Sequence, residues 1–366
     1  MNTATIIDYF KTSDTSELFA RAKQVKSETV GNKVYLRGLI EYSNRCAKDC
    51  YYCGIRASNE KIYRYQMDDQ AVLEAVEYAY RKGFGSVVLQ SGEQQNREFT
   101  QNIEALLKKI MALTNNEIGI TLSLGEQSED TYKRWRDAGA KRYLLRIETS
   151  NKVLYEKLHP KNHNYDARLK SLETLKKLNF QVGTGVMIGL PYQTIEHLAE
   201  DLQFFQNMDV DMVGMGPYIE HSDTPLYTIR NKKSSRHCGL DPQSPCYGIP
   251  AFAGMTVENR FDLTLKMIAL LRIQMPTINI AATTALQTLD PFGREKAVEV
   301  GANVIMPNLT PLKYRENYFL YDGKTVVQDT FDDTIADLEA RLAHVGAVIG
   351  YNLQGDSLHF KTKSIQ

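Results

Sequence analysis

The chain has 366 residues, of which 43% are apolar and 24% charged, the balance of a soluble globular protein with a sizeable core. The chain has 44 basic residues (lysine and arginine) and 44 acidic residues (aspartate and glutamate). There is therefore no net charge to attract nucleic acid or an anionic membrane. No run approaches the roughly 20 apolar residues that span a bilayer, and the N-terminal residues lack the pattern of a signal peptide, so we expect a cytoplasmic protein.

Apolar, β-branched runs alternate with segments of helical periodicity along most of the chain. Residues 1–32 are predicted to form a helical N-terminal extension, and residues 33–366 a single barrel unit. The predicted strands are Lys33–Ser43, Ser86–Ser91, Gly119–Leu124, Arg142–Glu148, Gln181–Ile188, Met212–Pro217, Ile278–Thr284 and Asn303–Pro307. The predicted helices include Asp68–Lys82, Asn102–Leu113, Glu129–Asp137, Ala167–Leu178, Thr194–Asn207 and, after the last strand, Thr334–His344. This alternation predicts a complete (β/α)8 barrel of TIM type, with its active site at the C-terminal ends of the strands.

Side-chain alternation along the predicted strands indicates a polar barrel interior. In the fourth strand the inward set is Arg142, Leu144, Arg146 and Glu148. Inward positions on other strands are small or polar as well: Thr121, Ser123, Gly183, Gly185 and Thr283. A barrel with a purely structural interior is filled with bulky branched residues. The pattern therefore favours a polar cavity, and the alternative is an error of register in a few strands.

Residues Asn231–Thr256 interrupt the alternation with a segment rich in proline, glycine and serine. Its core, SSRHCGLDPQSPCYGIPAFAGMT, resembles the translation of a dispersed bacterial repeat element, so we interpret it as a loop insertion after the sixth strand. Cys238, Cys246 and His237 could mimic a metal site. No fourth ligand stands at a zinc-like spacing, which favours a solvated loop.

The strongest motif is Cys46-Ala-Lys-Asp-Cys50-Tyr-Tyr-Cys53, directly after the first strand. In a reducing compartment, clustered cysteines bind metal more often than they form disulfides. Three thiolates at this spacing can hold three irons of a 4Fe–4S cluster and leave the fourth iron open. Structural zinc normally has four ligands, and a ferredoxin-like carrier needs a fourth local cysteine, so both fit less well. We expect the three cysteines to be the metal ligands and the catalytic centre.

This CxxxCxxC loop resembles the signature of the radical S-adenosylmethionine (SAM) superfamily. The resemblance implies that the open iron binds SAM, and that one electron cleaves SAM to methionine and a 5′-deoxyadenosyl radical. It implies the following cofactor contacts: Tyr52, Ser91, Gly92, Glu93, Ser123, Glu148, Arg168 and Met187. Tyr52 and Met187, with Gly185, would lie beside the adenine, and Glu93 would hold the SAM ammonium. Glu148 would accept from the ribose and Arg168 would pair with the carboxylate. The structural alternatives are a solvated carboxylate at Glu93 and a surface charge at Arg168.

Longer runs, between Lys33 and His359, are similar to the HydE family of FeFe-hydrogenase maturases. They are RGLIEYSNRC, YYCGIR, VVLQSGE, TLSLGE, RYLLRIET, VGMGPYI, IAATTAL and GANVIMPNLTP. The resemblance implies radical processing of an iron complex that bears CO, cyanide and cysteine, towards the diiron subcluster of the hydrogenase. The complex would come from the maturase HydG, assembly would take place on HydF, and ferredoxin or flavodoxin would donate electrons. By the family's pattern, the adenosyl radical would add to the cysteine sulfur.

Polar side chains inside the barrel would then bind this compact anionic complex. The candidates are Arg37, Arg142, Arg146, Ser123, Thr283, Thr284 and Tyr314, and Tyr314 and Tyr318 would cap the cavity. The structural alternative is that the arginines pair with Glu41 and Glu148 in a network that only stabilises the fold.

Two departures from the family pattern are visible. Ile147 stands where the motif usually has histidine, and no cysteine follows Cys246, so we expect no accessory cluster near the C-terminus. A sulfur donor like biotin synthase would need further barrel cysteines. The remaining alternatives are a radical SAM mutase resembling 3-methylornithine synthase, an iron–sulfur carrier and a copy disabled by the insertion. SAM-dependent formation of 5′-deoxyadenosine would separate an enzyme from a carrier.

Overall fold

The structure, a computed structural model, describes residues 1–228, 257–324 and 331–363. The predicted insertion at 231–256, with Cys238, Cys246 and His237, lies outside these described residues. Within them, eight parallel strands close into a barrel, because the last barrel strand pairs with the first as well as with its predecessor. The predicted complete (β/α)8 barrel of TIM type is therefore confirmed.

The strands of the structure are all paired in parallel. They are β1 (Lys33–Ser43), β2 (Ser86–Ser91), β3 (Gly119–Ser123), β4 (Ala140–Leu144), β5 (Gln181–Thr184), β6 (Met187–Ile188), β7 (Met212–Pro217), β8 (Asn279–Ala282), β9 (Val304–Ile305) and β10 (Val348–Ile349). The barrel wall contains β1 to β5 and β7 to β9 in chain order. Strand β6 pairs with the end of β7, and β10 pairs with the start of β1.

The helices cover the outside of the barrel. They are α1 (Thr3–Lys11), α2 (Ser16–Thr29), α3 (Asp69–Arg81), α4 (Arg97–Leu113), α5 (Glu129–Asp137), α6 (Lys152–Leu158), α7 (Tyr165–Lys177), α8 (Ile195–Met208), α9 (Val257–Gln274), α10 (Thr284–Leu289), α11 (Gly293–Glu299), α12 (Leu312–Arg315), α13 (Phe331–His344) and α14 (Leu358–Lys363). Seven of them begin where a polar side chain accepts a hydrogen bond from the third helical N–H, which caps the helix: Asn2, Asp68, Asn96, Ser128, Asn151, Asn164 and Thr194. No helix in this described part combines the length and apolar character needed to cross a bilayer.

The N-terminal residues form two helices that pack on the barrel, α1 against α8 and α2 against α9. Ile6 and Phe10 of α1 and Leu18 and Ala22 of α2 belong to the same buried apolar cluster as the barrel strands. The extension therefore contributes to the main hydrophobic core.

The fourth strand differs from its prediction at both ends. Strand β4 ends at Leu144, whereas the alternation predicts a strand that continues to Glu148. Glu148 has a left-handed φ of 65°, which a strand cannot accommodate. Its N–H donates to the carbonyl of Gly185 at 2.9 Å and Glu148 forms an isolated parallel bridge with Val186, so beyond β4 the chain still lies beside the neighbouring segment.

The predicted fifth strand is divided into β5 and β6 at Gly185. A Cβ atom there would collide with the carbonyl oxygen of Gly214, so glycine is required where the two chains approach. Strands β8 and β9 are shorter than the predicted Ile278–Thr284 and Asn303–Pro307. These differences lie mainly at the C-terminal ends of strands, where the chain leaves the sheet to build loops.

The segment 353–357, called here the barrel floor, closes the N-terminal end of the barrel. The Gly355 carbonyl accepts a hydrogen bond from Arg37 Nη2 at 3.1 Å, and Asp356 forms an ion pair with Arg142. Arg37 is level with the first residue of β2, and Arg142 with the first residue of β5. The floor therefore lies opposite the cysteine loop, which follows the C-terminal end of β1.

Candidate active site

The three cysteines lie in the loop that follows β1. Cys46 Sγ accepts hydrogen bonds from the backbone N–H groups of Lys48 at 3.4 Å and Glu93 at 3.3 Å. Gly92 packs so closely on this loop that a Cβ atom there would lie 2.6 Å from Cys46 Cβ. The end of β2 therefore positions the cysteine loop, and only glycine permits the approach.

The thiols of Cys46, Cys50 and Cys53 are free and close enough to influence one another's ionisation. Burial raises the pKa of Cys46 and Cys53, and it raises the pKa of Cys50 to about 12. Buried thiols of this kind become thiolates when a metal supplies the compensating charge. Three such thiols from one short loop fit an iron–sulfur cluster with three protein ligands.

Beside the cysteines lies a four-charge cluster, which consists of Lys48, Glu93, Glu126 and Arg168. Lys48 Nζ is 3.3 Å from Glu93 Oε1 and 3.0 Å from Glu126 Oε2. Arg168 Nε is 2.9 Å from Glu126 Oε1, and its Nη2 is 3.9 Å from Glu93 Oε2. Each cation therefore contacts both carboxylates, and the four charges alternate and cancel.

The electrostatics of the four-charge cluster depend on these contacts. Burial raises the pKa of Glu93, and the neighbouring Glu126 carboxylate raises it further. Burial alone would lower the pKa of Arg168 and Lys48, but the two carboxylates outweigh this and raise both. Both cations therefore stay charged. A buried arrangement of paired charges of both signs is complementary to a zwitterion, such as the amino-acid end of SAM.

An aromatic and apolar wall borders the cysteine loop on the other side. The Tyr52 ring packs edge-on against His159, with its hydroxyl 3.0 Å from Nε2. Met187 packs in the same small apolar cluster as Tyr52, next to Leu158 and Leu190. The structure thus brings together Tyr52 and Met187, the two side chains predicted to lie beside the adenine.

The remaining predicted cofactor contacts lie at the ends of neighbouring strands. Ser91 Oγ donates to the carbonyl of Gly92 at 2.6 Å, and Ser123 is the last residue of β3. Glu148 is close enough to Cys50 to raise the pKa of that thiol, and its Oε2 lies 3.2 Å from Arg146 Nη2. All these residues share the C-terminal end of the barrel with the cysteines.

Cys50, His159 and His163 also lie together, with potential ligand atoms within 4.8 Å of one another. Both nitrogens of His159 are already engaged, Nδ1 by the Tyr155 carbonyl at 2.8 Å and Nε2 by the Tyr52 hydroxyl. Burial lowers the pKa of His159 to about 3, so the ring is neutral at physiological pH. The hydrogen bonds therefore favour a supporting role for His159 over metal ligation.

Further inside the barrel lies a group of polar side chains around Glu41. This carboxylate is buried, forms an ion pair with Lys324, and accepts from Asn308 Nδ2 at 3.1 Å. The Tyr318 ring lies under Lys324 Nζ at 5.1 Å, and its hydroxyl accepts from Gln90 Nε2 at 3.2 Å. Tyr318 is fully buried. Glu41 forms its ion pair with Lys324 and not with the predicted arginines.

The structure separates the predicted substrate arginines into two places. Arg146 lies at the upper end, where it donates to the Val186 carbonyl at 2.8 Å. Arg37 and Arg142 lie at the barrel floor, and Arg142 Nε also donates to Thr121 Oγ1 at 3.1 Å. Their partners are Gly355 and Asp356 rather than Glu41 or Glu148. This geometry favours the structural-network interpretation for both floor arginines, because the partners of their guanidinium groups lie in the fold at the end opposite the cysteines.

Of the other predicted substrate contacts, Thr283 and Thr284 follow β8 at the upper end, and Thr283 Oγ1 donates to the Met215 carbonyl at 3.3 Å. Tyr314 lies on α12, stacks against Tyr65 at 5.1 Å, and donates to Asp68 at the start of α3 at 3.3 Å. Its hydroxyl is therefore directed to the outer rim of the barrel rather than to the interior.

Sequence reasoning did not single out Glu126 or Lys48, although both belong to the four-charge cluster. A signal for Glu126 was present, because Leu124-Gly125-Glu126 repeats, one strand later, the Gly-Glu ending of Ser91-Gly92-Glu93. Neighbouring parallel strands end at the same edge, so the two carboxylates are expected to meet. Lys48, within the cysteine loop, carries no such signal.

Comparison with known proteins agrees with this geometry. The Radical SAM superfamily profile matches residues 40–205. The [FeFe] hydrogenase maturase subunit HydE of Thermotoga maritima is 43% identical over 310 residues, which cover 85% of this chain and 80% of that protein. The 3-methylornithine synthase of Methanosarcina acetivorans is 25% identical, over 82% of this chain and 78% of that protein.

Solved structures show the same fold. Methylornithine synthase (PylB) superposes with a TM-score of 0.76 at 22% identity, over 96% of this chain and 94% of that chain. The FeFe-hydrogenase maturase HydG from Carboxydothermus hydrogenoformans superposes with a TM-score of 0.71 at 19% identity, over 96% of this chain and 76% of that chain. The cysteine loop, the barrel and the extent of the sequence match together show that this chain belongs to the radical SAM superfamily and, within it, to the HydE family.

Proposed function

We propose that this protein is a HydE-type maturase, which uses SAM radical chemistry on a small iron complex during assembly of the FeFe-hydrogenase diiron cluster. The observation that carries the proposal is the 43% identity to the HydE of Thermotoga maritima across almost the whole barrel. The HydG fold similarity supports only the architecture, because its sequence identity is 19%.

Members of the radical SAM superfamily use a 4Fe–4S cluster and SAM, and the residues of this site fit both. Cys46, Cys50 and Cys53 would hold three irons, which leaves one coordination position for the cofactor. When bound and reduced, the cluster supplies the electron that cleaves SAM to methionine and a 5′-deoxyadenosyl radical. The protein contributes binding, orientation and exclusion of water.

The four-charge cluster would orient the amino-acid end of SAM. Glu93 presents carboxylate oxygens for an ammonium, and Arg168 presents a buried guanidinium for a carboxylate. Glu126 and Lys48 would keep these two groups apart and charged until SAM displaces part of their pairing. Tyr52 supplies an aromatic face beside the cysteines, on which a nucleoside base can pack.

The substrate would lie between this cofactor site and the barrel floor. Arg146 has a half-buried guanidinium at the upper end, and Thr283 and Thr284 follow β8 at the same end. Lys324, although paired with Glu41, adds a buried ammonium. Cations and hydroxyl donors in a protected cavity suit a compact anionic complex of iron with CO, cyanide and cysteine.

The proposal extends to partners and domain organisation. HydG would supply the complex, HydF would receive the processed product, and ferredoxin or flavodoxin would provide electrons. Residues 33–366 would form one catalytic barrel unit, and residues 1–32 would serve as a structural extension whose core residues, such as Phe10, are shared with the barrel.

A radical SAM mutase like 3-methylornithine synthase is the second candidate. It is supported by the sequence relationship to that enzyme, which covers 82% of this chain, whereas the PylB superposition at 22% identity shows only the shared fold. The sequence relationship to that enzyme is only 25% identity, against 43% for HydE, and this difference ranks the two functions.

The test is maturation of an apo FeFe-hydrogenase in a defined anaerobic mixture in which this protein replaces HydE. Cys50→Ala is the matched control, because it removes one cluster ligand. Active hydrogenase with the wild type and none with the variant supports the maturase. Formation of 5′-deoxyadenosine without maturation would reject the maturase in favour of the mutase. Absence of SAM cleavage in a sample with a full complement of iron would reject both.

A further inference from the structure

The three cysteine sulfurs accept hydrogen bonds from different kinds of donor. Cys46 accepts from two backbone N–H groups, those of Lys48 and Glu93. Cys53 accepts from the backbone N–H of Ile55. Cys50 Sγ instead lies 3.8 Å from Nδ1 of His163, a side chain 113 residues further along the chain. Hydrogen bonds to cluster sulfurs are one of the factors that set the reduction potential of an iron–sulfur cluster.

The backbone fixes which nitrogen of His163 carries the proton. The Asp49 N–H donates to His163 Nε2 at 3.1 Å, so Nε2 must have a free lone pair. A neutral imidazole with an unprotonated Nε2 carries its proton on Nδ1. The Nδ1–H group therefore faces the Cys50 sulfur, and the cysteine loop itself, through Asp49, selects the tautomer.

Tyr52 is the other side chain with a proton near this sulfur. Its hydroxyl lies 3.0 Å from His159 Nε2, and His159 Nδ1 lies 2.8 Å from the Tyr155 carbonyl. Since a carbonyl can only accept, His159 carries its proton on Nδ1 and accepts the Tyr52 proton at Nε2. The Tyr52 hydroxyl is also within hydrogen-bonding reach of Cys50, but in this tautomer its single proton is directed to His159 Nε2, whereas the Nδ1 proton of His163 is directed to the Cys50 sulfur.

We propose that His163 is a positioning residue that donates its Nδ1–H to the sulfur of Cys50 and so raises the reduction potential of the cluster. An N–H donor stabilises negative charge on the thiolate, and the reduced cluster carries one more negative charge than the oxidised cluster. The hydrogen bond therefore favours the reduced state, from which SAM is cleaved. The inference rests on the cluster assignment and is independent of the hydrogenase-maturation role.

Two variants of similar shape distinguish the effect of the Nδ1–H donor from the effect of a side chain that only fills the same space. In His163→Asn the amide nitrogen occupies the place of Nδ1 and can still donate to Cys50. In His163→Gln the terminal amide reaches the place of Nε2 and can accept from Asp49, but it offers no donor to the sulfur. The measurement is the midpoint potential of the cluster in the reconstituted full chain, from a redox titration followed by electron paramagnetic resonance.

We expect His163→Gln to lower the equilibrium constant for cluster reduction about tenfold, which is about 59 mV for a one-electron couple. His163→Asn should stay close to the wild type. Iron and sulfide content, determined on the same samples, shows that the compared clusters are equally complete. Equal potentials in the wild type and the Gln variant would overturn the proposal, as would an equal shift in both variants. A shift in Tyr52→Phe with none in His163→Gln would transfer the role to Tyr52. None of these outcomes depends on hydrogenase maturation, so the two proposals fail separately.

Discussion

Arg168 Nε lies 2.9 Å from Glu126 Oε1, although the two residues belong to different strand–helix units of the barrel. Both side chains are largely withdrawn from solvent, and the guanidinium also donates through Nη1 to the Arg146 carbonyl at 3.0 Å. Glu93, the carboxylate predicted from the sequence, lies farther from Arg168, at 3.9 Å. The orientation of the cation that we assign to the SAM carboxylate therefore depends on Glu126 together with the Arg146 carbonyl.

We expect Glu126→Gln to weaken SAM binding about tenfold, because Arg168 and Lys48 both lose a charged partner. The measurement is equilibrium binding of SAM to the cluster-loaded protein. Glu129→Gln is the matched control, since Glu129 is an exposed carboxylate on α5 whose partner is the surface residue Lys177. Equal losses in the two variants would show that the effect is not specific to the four-charge cluster.

Removal of one cluster ligand should abolish iron binding without unfolding the barrel. We expect Cys50→Ala to lose the iron and sulfide of the reconstituted protein, because two thiolates of one loop cannot hold the cluster. The double variant Cys238→Ala, Cys246→Ala should retain both, since the sequence indicates a solvated loop there. Iron and sulfide analysis after anaerobic reconstitution measures the outcome, and loss of iron in the double variant would contradict the three-cysteine assignment.

Arg142 and Arg146 should give opposite results, although they are only four positions apart in the chain. Arg142→Gln leaves Asp356 without its buried cation, so we expect a loss of about 3 kcal/mol in the free energy of unfolding. Arg146→Gln removes a partly exposed guanidinium at the upper end, so its stability should stay near that of the wild type while maturation activity falls. Thermal unfolding and the maturation assay, run on both variants, measure the contrast. Retained maturation in Arg146→Gln would remove this residue from the substrate site.

A pH effect on stability is expected from Asp201, which is buried on α8 and accepts two hydrogen bonds from Ser150. Burial raises its pKa from 3.8 to about 7. The folded chain holds a proton that the unfolded chain releases above pH 3.8, so this contribution to stability is lost as pH rises from about 4 to 7. Asp201→Asn keeps an acceptor for Ser150 and cannot ionise. The Tm of the variant relative to the wild type should therefore increase between pH 5 and pH 8, and a constant difference would contradict the assignment.

The sequence was sufficient for the barrel and for the cysteine loop, because strand alternation and close cysteine spacing are local patterns. It also gave the correct inward direction of Arg142. The sequence could not predict how far along the barrel axis that residue lies. Alternation with a period of two identifies the face of the strand, but not the position along it. The partner, Asp356, is 214 residues away. His163 was missed for a related reason: its importance lies in a contact with Cys50, and nothing near it in the sequence marks that contact.

The barrel floor determines the end of the barrel through which small molecules can enter and leave. Residues Leu353 to Ser357 contact the beginnings of the strands through Arg37 and Arg142. Among the described residues, the barrel is therefore closed at its N-terminal end and open at its C-terminal end. In the proposed function, the iron complex, SAM, methionine and 5′-deoxyadenosine would all pass through that open end, beside the cysteines. In the proposed function, a protein that delivers or collects the metal complex would dock over this same end of the barrel, and the floor side would take no part in the exchange.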